Sequence, residues 1–129
     1  MVRILFVCVH NAGRSQIAKA FFNVLAKNMG IADSAGTKPS SQVNPAVIKV
    51  LQEVGIDISR EKPKLLTIEL MDKFDRVITM GCKVEETCPA SFLPTEDWNL
   101  TDPTDKTIEE VRRIRNEIKI RVEKLVSEL

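Results

Sequence analysis

The chain has 129 residues, 43% hydrophobic and 29% charged, with a formal net charge of +1. That length buries a core within one domain, expected over residues 1–129, without disulfide staples. The near-zero charge gives no electrostatic footprint for nucleic acid or an acidic membrane surface as main partner. The apolar stretch 2–9 is too short to span a membrane and lacks the small-residue exit of a signal peptide, so the expected setting is the cytoplasm.

Residues 3–8 form a continuous apolar run led by Ile, Leu, Phe and Val, as a strand buried on both faces would. A polar, Gly-containing loop follows. Ile17, Phe21, Val24 and Leu25 then recur at helical spacing. Residues 31–35 read as a second strand. Asn44-Pro45 opens the next helix as cap and first-turn proline, Val47, Leu51 and Val54 line it, and Gly55 ends it. A further helix is expected over residues 67–73, a third strand over 76–80 and a fourth within 95–100. From Ile108, the residues Val111, Ile114, Ile118, Val122, Leu125 and Leu129 keep steps of three and four, the pattern of a long amphipathic helix.

Strands alternating with helices imply an α/β fold with a parallel sheet and helices on both faces. Ligands in such sheets bind beyond the carboxyl ends of the strands. Cys8, the segment Met80-Gly81-Cys82 and Asp102 all fall on that rim.

Cys8-Val9-His10-Asn11-Ala12-Gly13-Arg14-Ser15 is the central motif. Between a strand and a helix, such a loop turns its N–H groups inward, and the helix N-terminus adds partial positive charge. Val9, His10, Asn11, Ala12, Gly13, Arg14 and Ser15 are therefore the expected cradle for a tetrahedral oxyanion, arsenate or phosphate. Arg14 supplies a planar fork for two of its oxygens. The same field favours a thiolate, which makes Cys8 the candidate nucleophile. Ser15 can donate to the sulfur, while Asn11 and Gly13 permit the backbone angles of the loop. His10, the only histidine, is expected at solvent or the pocket mouth rather than as a base.

Asp102 in Trp98-Asn99-Leu100-Thr101-Asp102-Pro103 is the candidate acid, because thiolate attack on a phosphate ester expels a basic alkoxide. Trp98 suits either the pocket wall or the core. Cys82 and Cys88 are the remaining thiols, and a Cys8–Cys82–Cys88 relay is sensible as successive disulfide exchange. The three cysteines match no zinc-ligand spacing, so no metal site is expected.

These motifs, with Gln16-Ile17-Ala18, Ser34-Ala35-Gly36-Thr37, Thr79-Met80-Gly81-Cys82 and Cys88-Pro89, resemble the low-molecular-weight protein tyrosine phosphatase superfamily, and within it the thioredoxin-coupled arsenate reductases. The resemblance runs through almost the whole chain. It implies a four-stranded parallel sheet, Cys8 as nucleophile, Arg14 as oxyanion clamp, Asn11 and Ser15 as loop support and Asp102 as acid. It also implies no bound cofactor and an external thioredoxin-like reductant. Lys19 replaces a glutamate that helps some reductases hold potassium, so no potassium site is expected. The spacing of Cys82 and Cys88 differs from that of the reductases. No tyrosine follows Asp102-Pro103, unlike in the eukaryotic phosphatases, since Thr104-Asp105 stand there.

Arsenate reduction to arsenite is the function expected from the sequence, with two alternatives. Arsenate reduction would use all three thiols. Phosphomonoester hydrolysis would need only Cys8, Arg14 and Asp102. A non-enzymatic oxyanion-binding or redox-sensing module would need the loop alone.

Overall fold

The computed structural model describes residues 1–81 and 95–129. The described strands are β1 (Val2–Cys8), β2 (Gly30–Gly36), β3 (Arg76–Thr79) and β4 (Thr95–Asp97). They form an all-parallel sheet in the order β2-β1-β3-β4, with Cys8 in register with Gly36 and Val7 with Thr79. The helices are α1 (Arg14–Ala26), α2 (Pro45–Gln52), α3 (Ile68–Met71) and α4 (Ile108–Ser127).

β1 is buried from Ile4 to Cys8 because both faces of the sheet are covered. Ile4, Phe6 and Cys8 point into a core built with residues of α1, α2 and α4. Leu5 and Val7 point the other way, onto Leu66, Met71 and Phe74 around α3. Period-two alternation thus divides one apolar run between two cores. Phe6 anchors the larger core, edge-on to Phe22 at 6.1 Å and tilted on Trp98 at 5.6 Å. Full burial of a side chain of this kind contributes about 2–3 kcal/mol.

Side chains cap three of the helices. Asn44 Oδ1 accepts from Ala46 N–H at 2.9 Å, with Pro45 in the first turn. Thr67 Oγ1 accepts from Leu70 N–H at 3.0 Å, and Thr107 Oγ1 from Glu110 N–H at 3.2 Å. α1 differs: it begins after Gly13 with no side-chain cap, so its first N–H groups stay available.

Several expected residues lie elsewhere. Val24 is exposed on the last part of α1, where it lines an open cavity together with Ala20 and Ile56. Val54 is exposed because α2 stops at Gln52 and turns towards Gly55, which has φ +83°. Leu129 is exposed because α4 ends at Ser127. The helix expected over 67–73 is four residues long, since Lys73 and Phe74 already bond back to Leu70 and Met71 in a turn. Trp98 belongs to the core, packed on Phe6 and below the Arg121 guanidinium.

The strand order reverses at β1, with β2 on one side and β3 on the other. The crevice beyond the carboxyl ends of β1 and β3 is therefore the place for a ligand.

Candidate active site

The loop from Val9 to Gly13 leaves β1 at Cys8 and enters α1 at Arg14. Each of its carbonyls is engaged by a neighbour. Val9 O accepts from Lys38 N–H (2.8 Å), His10 O from Ser40 N–H (3.0 Å), and Ala12 O from Asn44 N–H (2.9 Å). Asn11 O accepts from Gln16 Nε2 (3.1 Å) and Gly13 O from Ile17 N–H (3.0 Å). In a trans peptide the N–H points opposite to the carbonyl, and no peptide bond here is cis. Tying down the carbonyls thus turns the N–H groups of residues 10–14 away from those partners, the arrangement from which backbone anion nests are built. Segment 38–44 does for this loop what a second strand does for a sheet edge.

Close approach makes this possible. A Cβ on Gly36 would sit 2.6 Å from Val9 O and 2.9 Å from Asn11 N, so only glycine lets the loop lie this close to β2. Asn11 takes a left-handed backbone, φ +51°, which asparagine tolerates. Its side chain is fully buried and occupied on both sides. Oδ1 accepts from Lys64 N–H (2.9 Å) and Gln16 Nε2 (3.3 Å), and Nδ2 donates to Ser15 Oγ (2.7 Å).

Cys8 Sγ lies 2.9 Å from Ser15 Oγ. Because Ser15 already accepts from Asn11, its hydroxyl proton is free to point at the sulfur. The order is therefore Asn11 to Ser15 to Cys8, a run of donors that ends on the sulfur at the uncapped start of α1. Cys8 is buried, opens into the pocket, and is a free cysteine.

Arg14 is 7% exposed and reaches across the same pocket. Its Nη1 donates to Leu100 O at 3.3 Å and its Nη2 lies 3.8 Å from Asp102 Oδ2. Asp102 is half-buried beside the buried Pro103. Burial acts to raise its carboxyl pKa, but the hydrogen bonds from Thr104 and the charges of Arg14 and His10 outweigh burial and hold it below the ordinary value. His10 is exposed at the mouth, with Nδ1 donating to Lys38 O at 3.1 Å. Cys8, His10, Ala12, Gly13, Arg14 and Asp102 thus converge on one pocket, while Cys82 and Cys88 lie outside the described residues.

The chain matches the low molecular weight phosphotyrosine protein phosphatase family over residues 3–129. It belongs to that family. Relatives named as arsenate reductases are similar along most of the chain. A glutaredoxin arsenate reductase of Synechocystis is 35% identical over 133 residues, covering 100% of this chain and 99% of its own. The solved arsenate reductase of Archaeoglobus fulgidus is 36% identical with a TM-score of 0.81, covering 96% of this chain and 98% of its own. A thioredoxin-dependent arsenate reductase of Corynebacterium glutamicum is 39% identical with a TM-score of 0.83. The match covers 99% of this chain and 61% of that one. The four-stranded parallel sheet is the fold of this phosphatase family, as the sequence resemblance implied.

Four residues of this family member escaped the sequence reading. Gln16 ties Asn11 from below, Lys64 N–H ties it from the side, Gly81 leaves room for Arg14, and Thr104 holds Asp102. Gly81 carried a signal, a glycine at a strand end beside a cysteine. Lys64 carried none, because its contribution is a backbone N–H. Lys19 pairs with Glu61 at 2.7 Å and Asp33 at 3.4 Å. Among the described residues no three His, Cys, Asp or Glu side chains cluster as metal ligands, and no helix is long and apolar enough to cross a membrane.

Proposed function

We propose that this phosphatase-family chain reduces arsenate to arsenite, with Cys8 as nucleophile and an external dithiol protein of the thioredoxin kind as electron source. The observation that supports it best is the pairing of Cys8 Sγ with Ser15 Oγ at 2.9 Å, beside Arg14, below a concavity of backbone N–H groups. That arrangement binds a tetrahedral oxyanion and presents a sulfur nucleophile to its centre. The named arsenate reductases among its relatives favour arsenic as that centre.

In this reading the Cys8 thiolate displaces one arsenate oxygen, which takes up protons and leaves as water. Cys82 then attacks Cys8 Sγ. The S–As bonding pair stays on arsenic, As(V) becomes As(III), and arsenite departs from a Cys8–Cys82 disulfide. Cys88 attacks Cys82, restores the Cys8 thiolate and leaves a Cys82–Cys88 disulfide for the external dithiol to reduce. The two later thiols enter on the sequence alone. Such a cycle belongs in the cytoplasm, where dithiol reductants are maintained.

A weak phosphomonoesterase activity fits the same pocket, since Asp102 stands 3.8 Å from Arg14 where a leaving oxygen would emerge. The thiols separate the two activities. Cys82→Ser is expected to abolish arsenate turnover and to keep aryl phosphate hydrolysis. Cys88→Ser is expected to stop after one turnover as a Cys8–Cys82 disulfide, read by peptide mapping. Arsenate turnover at the wild-type rate in both variants would remove the relay, and aryl phosphate hydrolysis without any arsenate turnover in the wild type would put phosphate ester hydrolysis first. Failure of both substrates to turn over would leave an oxyanion-binding module.

A further inference from the structure

The turn that carries Asp102 contains a group the chemistry above does not use. Thr104 donates twice to Asp102 Oδ1, from its N–H at 2.9 Å and from its hydroxyl at 2.8 Å. The other oxygen, Oδ2, is the one 3.8 Å from Arg14 Nη2. The two carboxyl oxygens are therefore unequal. A proton on Oδ1 would have to displace at least one donor, whereas Oδ2 is the oxygen on the Arg14 side.

We propose that Thr104 is a positioning and specificity-determining residue, which holds Asp102 as a carboxylate with Oδ2 turned to the oxyanion and so disfavours phosphate ester cleavage relative to arsenate reduction. The inference rests on Asp102 being the proton donor of this pocket. An ester expels a basic alkoxide or phenoxide, which needs the acid form of Asp102 at the moment of cleavage. Arsenate loses a hydroxyl that already carries a proton, so its demand is smaller. Among the described residues, the charged or titratable groups facing Asp102 across the pocket are Arg14 at the start of α1, and His10 and Cys8 from the end of β1 and its loop. Asn44, at the start of α2, faces it without charge. The lowered carboxyl pKa agrees: burial opposes it, and the two Thr104 hydrogen bonds stand first among the causes that outweigh burial.

Thr104 is exposed, so its substitution leaves the core untouched. Thr104→Val keeps the shape and the N–H bond and removes the hydroxyl donor, while Thr104→Ser keeps both donors. The Asp102 carboxyl is followed by carbon-13 NMR titration, with Asp102→Asn assigning its signal. The ratio of phenyl phosphate hydrolysis to arsenate turnover is measured at pH 7. Thr104→Val is expected to move the Asp102 titration upward and raise that ratio about threefold, and Thr104→Ser to restore both values. An unmoved titration, or a ratio that stays level or falls, would overturn the proposal. An Asp102→Asn variant that still cleaves phenyl phosphate at the wild-type rate overturns it too, by removing Asp102 as the donor. A wild-type chain without arsenate turnover defeats the reductase reading instead, and the titration then still decides whether Thr104 holds Asp102.

Discussion

Gly13 stands directly against Pro103. A Cβ built on Gly13 would lie 2.6 Å from Pro103 Cγ and 3.8 Å from a Val47 methyl. The last loop residue before α1 and the residue after Asp102 thus pack together, in the wall of the pocket that Arg14 and Asp102 also line. The two halves of the site come from opposite ends of the sequence, and a missing side chain joins them.

Substituting Gly13 by alanine tests that joint. The obstacle is a pyrrolidine ring, which cannot swing aside like the end of a flexible side chain. Pro103 must move and take Asp102 with it. Aryl phosphate kcat/KM is expected to fall about tenfold to a hundredfold, the scale of an ångström-sized misplacement. Adding Pro103→Ala should recover part of the loss, a non-additivity that a double-mutant cycle would measure. Full additivity would mean that the contact does not carry the effect.

The acid side of the stability profile has an identifiable contributor far from the pocket. Glu53 follows α2 and accepts from Arg112 Nη2 at 2.7 Å and Arg115 Nη1 at 3.0 Å, both on α4. Its pKa is lowered from 4.5 to about 2, first by the Arg112 hydrogen bond, against an opposing effect of desolvation. A folded-state pKa below the unfolded value gives stability that is present above the unfolded value and lost as pH falls towards the folded one. Glu53→Gln should therefore unfold at lower temperature than wild type at pH 6, and the gap should close between about pH 4.5 and pH 2. An exposed pair is screened, so the gap should be small and shrink in salt. A gap that widened towards low pH would refute the assignment.

What the sequence made legible divides along physical lines. β1, α1 and α4 were clear because their apolar patterns are long, and Asn44-Pro45 marked α2 because a cap and a first-turn proline act locally. Val24 and Val54 were misplaced because periodicity names a face of a helix but not where its cover stops. The short α3 was overextended for a related reason, since its end is set by Phe74 turning into the smaller core. Within the candidate site, the gathering of Cys8, Asn11, Arg14 and Ser15 was legible because their side chains meet within one short stretch. Lys64 N–H, the carbonyl partners 38–44 and the gaps left by Gly13, Gly36 and Gly81 were not. Those contributions are backbone or empty space, set by tertiary approach.

Gly81 offers a second test of empty space. It has φ +81°, and a Cβ there would collide with Arg14 Nη1 and come within 3.3 Å of Leu100 O. Arg14 Nη1 also donates to Leu100 O at 3.3 Å, so the guanidinium is held in a slot with Gly81 as its floor. Gly81→Ala combines backbone strain with displacement of the fork. Phosphate binding, read by calorimetry, is expected to weaken about tenfold or more, because charge-assisted hydrogen bonds are lost. Affinity within twofold of wild type would show that Arg14 does not need the slot.

The last prediction concerns Cys8, the proposed nucleophile. Asn11 donates to Ser15 and leaves the Ser15 hydroxyl proton for Cys8 Sγ, at 2.7 and 2.9 Å along the chain. The sulfur thus receives one oriented hydroxyl, within the loop proposed above to bind the oxyanion. Two results should follow in iodoacetamide labelling read by peptide mass at pH 7. Phosphate should protect Cys8 in wild type, because the anion fills the concavity through which the reagent must pass. Ser15→Ala should slow Cys8 labelling about threefold to tenfold, the effect of removing one hydrogen bond to a charged atom after allowance for water taking its place. Asn11→Ala should slow it as well, although Asn11 does not touch the sulfur, since it orients the serine and fixes the loop. Protection by chloride at the same ionic strength as phosphate would indicate screening rather than a fitted site. Unchanged labelling in both variants would break the chain of donors on which the proposed role of Cys8 depends.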